Sequence, residues 1–323
     1  MTEHILLAYE IKGDGTANPL SGEAISTGLK DETLTWVHLD AAHADTEKWL
    51  RKETDDLDPF IASALIADET RPRMTQIDDG AIVILRGVNL NAGADVEDMV
   101  SVRLFIDQKR IISLQLRDLK AIETMDTQLK ANKAPKDAGD FICQLINQLT
   151  SRFELILSDL DALTDETEET LLTHADIALR QDILNIRKKA IIFRRYMAPQ
   201  RDAISQLRMA DIDWLSEMQK RNLQESYNHI IRYVEELDAI RERAQIVKDE
   251  LANMIADKLN KNTYILSVIA AIFLPLGFLT GLLGINIGGI PGVENPIAFS
   301  AFCAFLIIVV AIQIIVFRKL KWF

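Results

Sequence analysis

Two long runs of uncharged residues dominate the C-terminal end of the chain. Residues 263–283 contain no charged side chain, and at about 1.5 Å per residue a helix of this length spans about 31 Å, the thickness of a bilayer's hydrocarbon core. A second uncharged run, residues 297–317, has the same length. The pattern predicts two transmembrane helices joined by a short loop over residues 284–296.

A stretch with helical periodicity precedes the first of these runs. From residue 213 onward, apolar residues recur at spacings of three and four, and no breaker separates them from the first span, so we predict one helix over 213–283. Its apolar stripe must pack on the chain's own helices or on other subunits, and we expect an oligomer. The stripe comprises Tyr227, Ile230, Val234, Leu237, Ile240, Ala244, Val247, Leu251 and Met254.

The region before this helix changes character near residue 118. From there to residue 212, glycine and proline are almost absent, and we predict helices over 140–172 and 176–196 with a short connection near Pro199. Before residue 118, short β-rich runs alternate with helix-like ones. These runs predict strands at 5–9, 34–39, 74–77, 81–89, 100–106 and 110–116, and helices at 45–52 and 59–67.

The fold class that follows is an α+β membrane protein. We expect an α/β domain with a mixed sheet over 1–117, a helical and stalk region over 118–262, and a membrane domain over 263–323. The stalk continues directly into the first span. Basic residues flank both spans, and lysine and arginine near span ends are retained on the cytoplasmic side, so both termini are expected to be cytoplasmic. The flanking residues are Lys258, Lys261, Arg318, Lys319 and Lys321.

Charge and motifs argue against several classes of function. The residues before 262 include 33 basic and 47 acidic ones, a formal charge of −14. Such a surface repels nucleic acid and attracts cations, although ordinary solubility explains it equally well. The chain lacks the motif Gly-x-x-x-x-Gly-Lys-Ser/Thr and any visible nucleophile with a base, so we expect neither ATP-driven movement nor an enzyme.

Possible metal ligands show no spacing typical of a tight site. His38 and His43 are a poor pair, and a zinc site needs several convergent ligands, so no tight metal site is predicted. The acidic segment 159–169 is expected to be the solvated tip of a helical pair, with a low-affinity metal sensor as the alternative. The other histidines, which stand alone in the sequence, are His4, His174 and His229.

The junction between the first span and the loop resembles a known family. Residues 273–286 read Phe-Leu-Pro-Leu-Gly-Phe-Leu-Thr-Gly-Leu-Leu-Gly-Ile-Asn and precede a second span and a terminal Lys-Trp-Phe. This pattern resembles the CorA-type divalent-cation transporters, which carry a Gly-x-Asn signature in this place. Residues 284–292 resemble its ZntB zinc-transporter branch, because the magnesium branch usually has methionine where Ile285 stands. Residues 69–73 and 194–202 also resemble that branch.

The resemblance implies a funnel-shaped homopentamer in a bacterial inner membrane, with the loop 284–296 in the periplasm. It implies transport of hydrated Zn²⁺, or of Co²⁺, Ni²⁺, Cd²⁺ or Mg²⁺, without a cofactor and driven by an ion gradient, with coupling to protons as one option. Divalent cations and the lipid bilayer are then the partners, and nucleic acid is not. One alternative is a magnesium, cobalt or nickel channel of the same family. Another is a membrane-anchored sensor or scaffold that moves no ion.

The same resemblance assigns roles to individual residues. Gly284, Ile285 and Asn286 would form the selectivity entrance, although an asparagine beside glycines is by itself more often a turn residue. Glu294, the only charge in the loop, would attract cations. Gating by rings of leucine and plain helix packing remain open alternatives. The positions that match the family's pore wall are Asn260, Thr263, Leu266, Ala270, Leu274, Gly277 and Gly281.

Overall fold

The computed structural model describes residues 4–67, 71–173, 178–285, 290, 292 and 295–319. The chain divides into two compact units, Met1–Asp249 and Glu250–Phe323, and the domain boundaries expected near residues 117 and 262 remain predictions. The strands are β1 (Ile5–Ile11), β2 (Ala17–Pro19), β3 (Leu34–Asp40), β4 (Arg73–Ile77), β5 (Gly80–Gly87), β6 (Val100–Ile106) and β7 (Arg110–Gln115). The helices are α1 (Glu23–Gly28), α2 (Thr46–Glu53), α3 (Pro59–Ile66), α4 (Lys120–Lys130), α5 (Ala138–Thr173), α6 (Leu179–Met209), α7 (Glu217–Leu283) and α8 (Ala298–Lys319).

The first unit contains a seven-stranded sheet in the order β2-β1-β3-β7-β6-β5-β4. Strands β3 and β7 run parallel, whereas the other neighbouring pairs are antiparallel. The predicted mixed sheet is therefore confirmed, and the predicted strands and helices of this region recur with their ends shifted by a few residues.

Helices cover both faces of this sheet. On one face, α1, α2 and α3 contribute residues such as Ile25, Leu50 and Leu65 to a core cluster with the strands. On the other face, the ring of Trp36 in β3 lies 5.0 Å from that of Phe141 in α5. Because both faces are buried, β6 is buried along its whole length instead of alternating.

The connection predicted near Pro199 is wrong, because α6 continues through this residue to Met209. A proline inside a helix costs about 3 kcal/mol. Contacts with the sheet offset this cost: the Tyr196 ring lies 4.3 Å beneath the Arg86 guanidinium, and Gln200 Oε1 accepts the backbone N–H of Arg86 at 2.7 Å. The stretch 194–202, which resembles the ZntB branch in sequence, thus has a structural role: it packs α6 against β5.

The apolar stripe of α7 packs within the chain. The rings of Tyr233 and Phe153 of α5 lie 5.5 Å apart, and the Ser226 hydroxyl donates to Asn147 Oδ1 of α5 at 2.9 Å. The stripe therefore does not require another subunit and gives no support to the expected oligomer. Its buried members in the first unit are Ile230, Val234, Leu237, Ile240, Ala244 and Val247.

Replacing Gln200 by alanine is expected to destabilise the first unit. Strand β4 pairs with β5 only as far as Ile84, and beyond this point the N–H of Arg86 donates to the Gln200 side chain, which is 2% exposed. Loss of a buried hydrogen-bond partner costs about 1–3 kcal/mol. Thermal unfolding of the purified full-length protein in detergent measures the effect.

The matched control is Gln206→Ala, which removes an exposed glutamine from the same helix. We expect this change to alter stability by less than about 0.5 kcal/mol. Equal unfolding temperatures for the two variants would contradict the role assigned to Gln200.

Candidate ion pathway

The C-terminal part of α7 and the whole of α8 meet the length and hydropathy of membrane spans. Their most apolar windows have mean hydropathies of 2.3 and 2.8, and neither window is buried inside the chain. A core helix of a soluble protein would be largely covered by its own chain. The two predicted spans therefore correspond to two candidate membrane helices in the structure.

One face of α7 lies toward α8. Gln313 Nε2 of α8 donates to the backbone carbonyl of Ala271 at 3.3 Å. Ala271 lies 12 residues before the end of α7 (283 − 271) and Gln313 lies 15 residues after the start of α8 (313 − 298). The two contacting residues are thus at similar distances from the connecting loop, so the helices run in opposite directions and their basic flanking residues share one end. The better covered residues of α7, which recur at helical spacing on this face, are Val268, Ala271, Ile272, Pro275, Leu276 and Leu279.

The positions predicted to line a pore are exposed in the single chain. At about 100° per residue, Leu266, Ala270 and Gly277 lie on the side of α7 opposite the buried Val268. The side chains of Leu266 and Leu274 are 67% and 73% exposed. One continuous strip of α7 thus carries this whole set, all of it exposed: Asn260, Thr263, Leu266, Ala270, Leu274, Gly277 and Gly281.

The Gly-x-x-x-Gly pair on this strip has no close neighbour within the described part of the chain. A Cβ added at Gly277 or Gly281 would meet no heavy atom within 4 Å. The close helix approach that such a pair permits is therefore not used against α8, and the strip is available to a second copy of the chain or to a passing ion.

Two hydroxyl groups of the α7 span bond to its own backbone. Ser267 Oγ donates to the Thr263 carbonyl and Thr280 Oγ to the Leu276 carbonyl, each at 2.9 Å. Side chains bonded in this way are tolerated in a membrane helix. The span 263–283 contains no cysteine, histidine or carboxylate, so it offers none of the usual ligands for a dehydrated zinc ion.

The helix ends just before the predicted entrance. The N–H of Gly284 donates to the Thr280 carbonyl at 2.9 Å, and a Cβ on Gly284 would lie 3.0 Å from that oxygen. Glycine thus suits this tight end of the helix. Ile285 follows and is 45% exposed. Asn286 and Glu294 lie outside the described residues, so their roles remain predictions.

The acidic segment 159–169 is partly neutralised within the first unit. Arg243 of α7 pairs with Asp161 at 2.9 Å, with Glu168 at 2.7 Å and with Asp165 of α5. These carboxylates raise the pKa of the Arg243 guanidinium above its ordinary value. Half of the acidic side chains of the segment are therefore already paired with the Arg243 guanidinium. This pairing disfavours a metal sensor there and is compatible with the predicted tip of a helical pair.

The structure brings together two histidines that the sequence leaves apart. The rings of His4 and His43 lie 5.6 Å apart, so the expectation that His4 stands alone is wrong. Burial, followed by the nearby His43, lowers the pKa of His4, against the opposite influence of Asp45. His229 lies elsewhere, with its Nδ1 2.9 Å from an Arg232 nitrogen, and His174 lies outside the described residues.

Complete burial sets the state of His38 in β3. Its Nδ1 lies 2.7 Å from Ser113 Oγ of β7, and the same oxygen accepts the indole N–H of Trp36 at 2.8 Å. Burial lowers the pKa of His38 to about 4, so this imidazole is neutral at neutral pH and belongs to the core.

Known proteins resemble this chain over nearly its whole length. The sequence profile of a family described as "CorA-like Mg2+ transporter protein" matches residues 31–319. The chain is 37% identical over 323 residues to the divalent cation transporter CmaX of Pseudomonas aeruginosa, covering 98% of this chain and 96% of the relative. It is 35% identical over 315 residues to the zinc transport protein ZntB of Pectobacterium carotovorum, covering 98% and 95% of the two chains.

The fold also matches that of a solved structure over nearly the whole chain. The structure of full-length CmaX superposes with a TM-score of 0.86 at 36% identity, covering 99% of this chain and 98% of that one. The superposition covers nearly the whole of this chain, from its mixed sheet to its two C-terminal helices. The chain therefore belongs to the CorA-like Mg²⁺ transporter family.

Proposed function

We propose that this protein is a zinc transporter that moves hydrated Zn²⁺ through the central pore of a homopentamer. The observation that carries the choice of metal is the near full-length similarity, at 35% identity, to a zinc transport protein ZntB. Ile285 within Gly284-x-Asn286, the variation that resembles the zinc branch, supports the same choice.

The exposed strip of α7 supports a pore shared between chains. A single chain presents the strip from Thr263 to Gly281 on one helix, and one strip cannot enclose a path through a bilayer. A ring of chains with these strips facing inward encloses one without exposing backbone to lipid. The small side chains at Ala270, Gly277 and Gly281 leave room for a hydrated ion.

The chemistry of the strip supports passage of a hydrated ion. Conduction requires binding weak enough for the ion to leave, and the strip carries amide, hydroxyl and apolar groups only. At the entrance, the Asn286 carbonyl groups would accept hydrogen bonds from the water shell of the cation. Leu266 and Leu274 would form the narrow apolar rings that close the path by dewetting.

The proposed location is a bacterial inner membrane, with both chain termini in the cytoplasm. The basic residues Lys258, Lys261, Arg318 and Lys319 share one end of the α7 and α8 pair, and this clustering supports a cytoplasmic position for that end. The opposite end, with Asn286, would then face the periplasm. The acidic first unit, on the cytoplasmic side, would attract the arriving cations.

The second candidate is a channel of the same architecture for Mg²⁺, Co²⁺ or Ni²⁺. The family description names Mg²⁺, and the relative that shares 37% identity is called a divalent cation transporter. In the proposed entrance the Asn286 amide contacts only the water shell of the ion. It would therefore respond to the charge and size of the hydrated ion and discriminate weakly between divalent metals.

Uptake into proteoliposomes tests the choice of metal. Purified protein is reconstituted with an enclosed fluorescent indicator, and the entry of Zn²⁺, Mg²⁺, Co²⁺ and Ni²⁺ is compared at two pH gradients. We expect zinc to enter, and an effect of the pH gradient on its rate would identify coupling to protons. Entry of magnesium without zinc would transfer the protein to the second candidate. Absence of flux for every metal would favour the membrane-anchored sensor or scaffold.

A further inference from the structure

Three possible metal ligands converge at one corner of the first unit. His4 immediately precedes β1, while His43 and Asp45 lie in the connection between β3 and α2. Strands β1 and β3 are antiparallel neighbours, and the N–H of Asp40 donates to the His4 carbonyl at 3.0 Å. This pairing brings one potential ligand atom of each of His4, His43 and Asp45 within 4.8 Å of the others.

The buried histidine of this cluster lacks a hydrogen-bond partner that its chemistry requires. His4 is 5% exposed, and its Nε2 has no hydrogen-bond partner in the described part of the chain. Buried polar atoms without a partner are rare in folded proteins and call for an explanation such as a bound ion. Because the ring of His4 lies 5.6 Å from that of His43, a ligand shared by the two imidazoles provides one.

The other two residues of the cluster are reachable from solvent. The side chains of His43 and Asp45 are 27% and 69% exposed, and His43 Nδ1 lies 3.9 Å from Asp45 Oδ2. His43 Nδ1 also accepts the backbone N–H of Asp45 at 3.1 Å, so a metal bound at this nitrogen would replace that hydrogen bond. Ligand atoms around a tetrahedral zinc ion lie roughly 3.3 Å apart, given bonds of about 2.0–2.1 Å. The exposed Asp45 carboxylate closes the remaining gap by a side-chain rotation.

The donor set selects the class of metal. Two imidazole nitrogens and one carboxylate oxygen suit borderline transition-metal ions such as Zn²⁺, Co²⁺ and Ni²⁺, whereas Mg²⁺ prefers oxygen ligands and retains its water. Three protein ligands leave one position of a tetrahedral zinc ion for water.

We propose that His4, His43 and Asp45 form a binding site for one divalent transition-metal ion, with zinc as the preferred occupant. The bound ion would join the start of β1 to the segment that leads into α2. This site stands on the geometry of the first unit alone, so it holds whichever metal crosses the membrane and fails independently of the transport proposal.

The test uses the full-length protein in detergent, with Co²⁺ and Zn²⁺ as probes. The protein carries no polyhistidine tag and keeps its native N-terminus, because His4 lies close to it. Magnesium is present in excess to occupy oxygen-rich surface sites. The ring of Trp49 lies 6.0 Å from that of His4, so we expect bound Co²⁺ to quench part of the tryptophan fluorescence and zinc to restore it. Titration calorimetry then gives the zinc affinity.

Single substitutions assign the signal to the cluster. We expect His43→Asn and Asp45→Asn each to weaken zinc binding by about tenfold or more, because each removes one of three ligands. Both side chains reach solvent, so these variants are chosen over a change at buried His4. The controls are His229→Asn and Asp55→Asn, which lie outside the cluster and should bind zinc as the unmodified protein does.

Two results would overturn the site. One is the absence of Co²⁺ quenching that zinc reverses in the unmodified protein. The other is an unchanged zinc affinity in both His43→Asn and Asp45→Asn, with circular dichroism showing that the variants are folded. An equal loss of zinc affinity in the control variants would likewise overturn the site, because it would show that zinc binds to scattered surface residues and not to the cluster of His4, His43 and Asp45.

Discussion

Replacing Ala270 by phenylalanine is expected to reduce metal uptake by about tenfold or more. Ala270 lies at the middle of the exposed strip of α7, on the side opposite the buried Val268. In the proposed assembly, every chain contributes this position to the same level of the pore. A ring of phenylalanine side chains there narrows the path and makes it more apolar, which opposes the entry of a hydrated ion. Indicator fluorescence in proteoliposomes measures the loss.

The matched control for this prediction is Ala311→Phe. Ala311 is an exposed alanine on α8, at about the same distance from the basic end of the helix pair. In the proposed ring the strips of α7 face inward, and α8 lies against another face of α7, so α8 would be outside the pore. We therefore expect this change to leave uptake within about twofold of the unmodified protein. Normal uptake by Ala270→Phe, or an equal loss in both variants, would remove Ala270 from the pore wall.

Acidification from pH 7 to pH 4.5 is expected to destabilise the first unit through His38. The pKa of His38 is about 4 in the folded protein, against an ordinary value of 6.5. Between these values the unfolded chain binds a proton that the folded chain does not, so stability falls as the pH falls. Above about pH 6.5 His38 is neutral in both the folded and the unfolded chain, so it causes no loss of stability there. As the pH approaches 4, a pKa difference of this size lowers the free energy of unfolding by about 3 kcal/mol.

The variant His38→Asn isolates this contribution. Asparagine retains a polar group beside Ser113 but does not titrate, so the variant should be less stable at pH 7 and lose less stability on acidification. Unfolding temperatures are compared at several pH values between 4.5 and 7.5. The control, His229→Asn, should follow the unmodified protein. A pH dependence that is the same with and without His38 would contradict the neutral buried state assigned to this side chain.

Much of the fold follows from the hydrophobic pattern because the central strands are buried on both faces. Continuous apolar runs such as residues 81–85 in β5 leave little choice of position. The pattern missed β2 and α1, which are short and have few apolar residues. It also failed at Pro199, where contacts with Arg86 outweigh the local cost of a proline in a helix. Such contacts come from distant parts of the chain and leave no mark on local periodicity.

The same contrast holds for the candidate sites. The strip on α7 was predictable because all its members belong to one helix, whose periodicity assigns each residue to a face. The cluster of His4, His43 and Asp45 was not, because the pairing of β1 with β3 creates it from distant positions. The sequence showed the apolar stripe of α7 but not the element that packs against it. In the structure that element is α5 of the same chain.

The most direct test of the central claim compares zinc uptake by the unmodified protein with uptake by Asn286→Ala. The control is Asn295→Ala, a second asparagine of the same loop, whose Oδ1 accepts the N–H of Ile297 before α8. If Asn286 forms the selectivity entrance, its loss should reduce zinc flux by about tenfold or more, while Asn295→Ala should retain it. Equal zinc flux with and without the Asn286 side chain would contradict the proposed entrance.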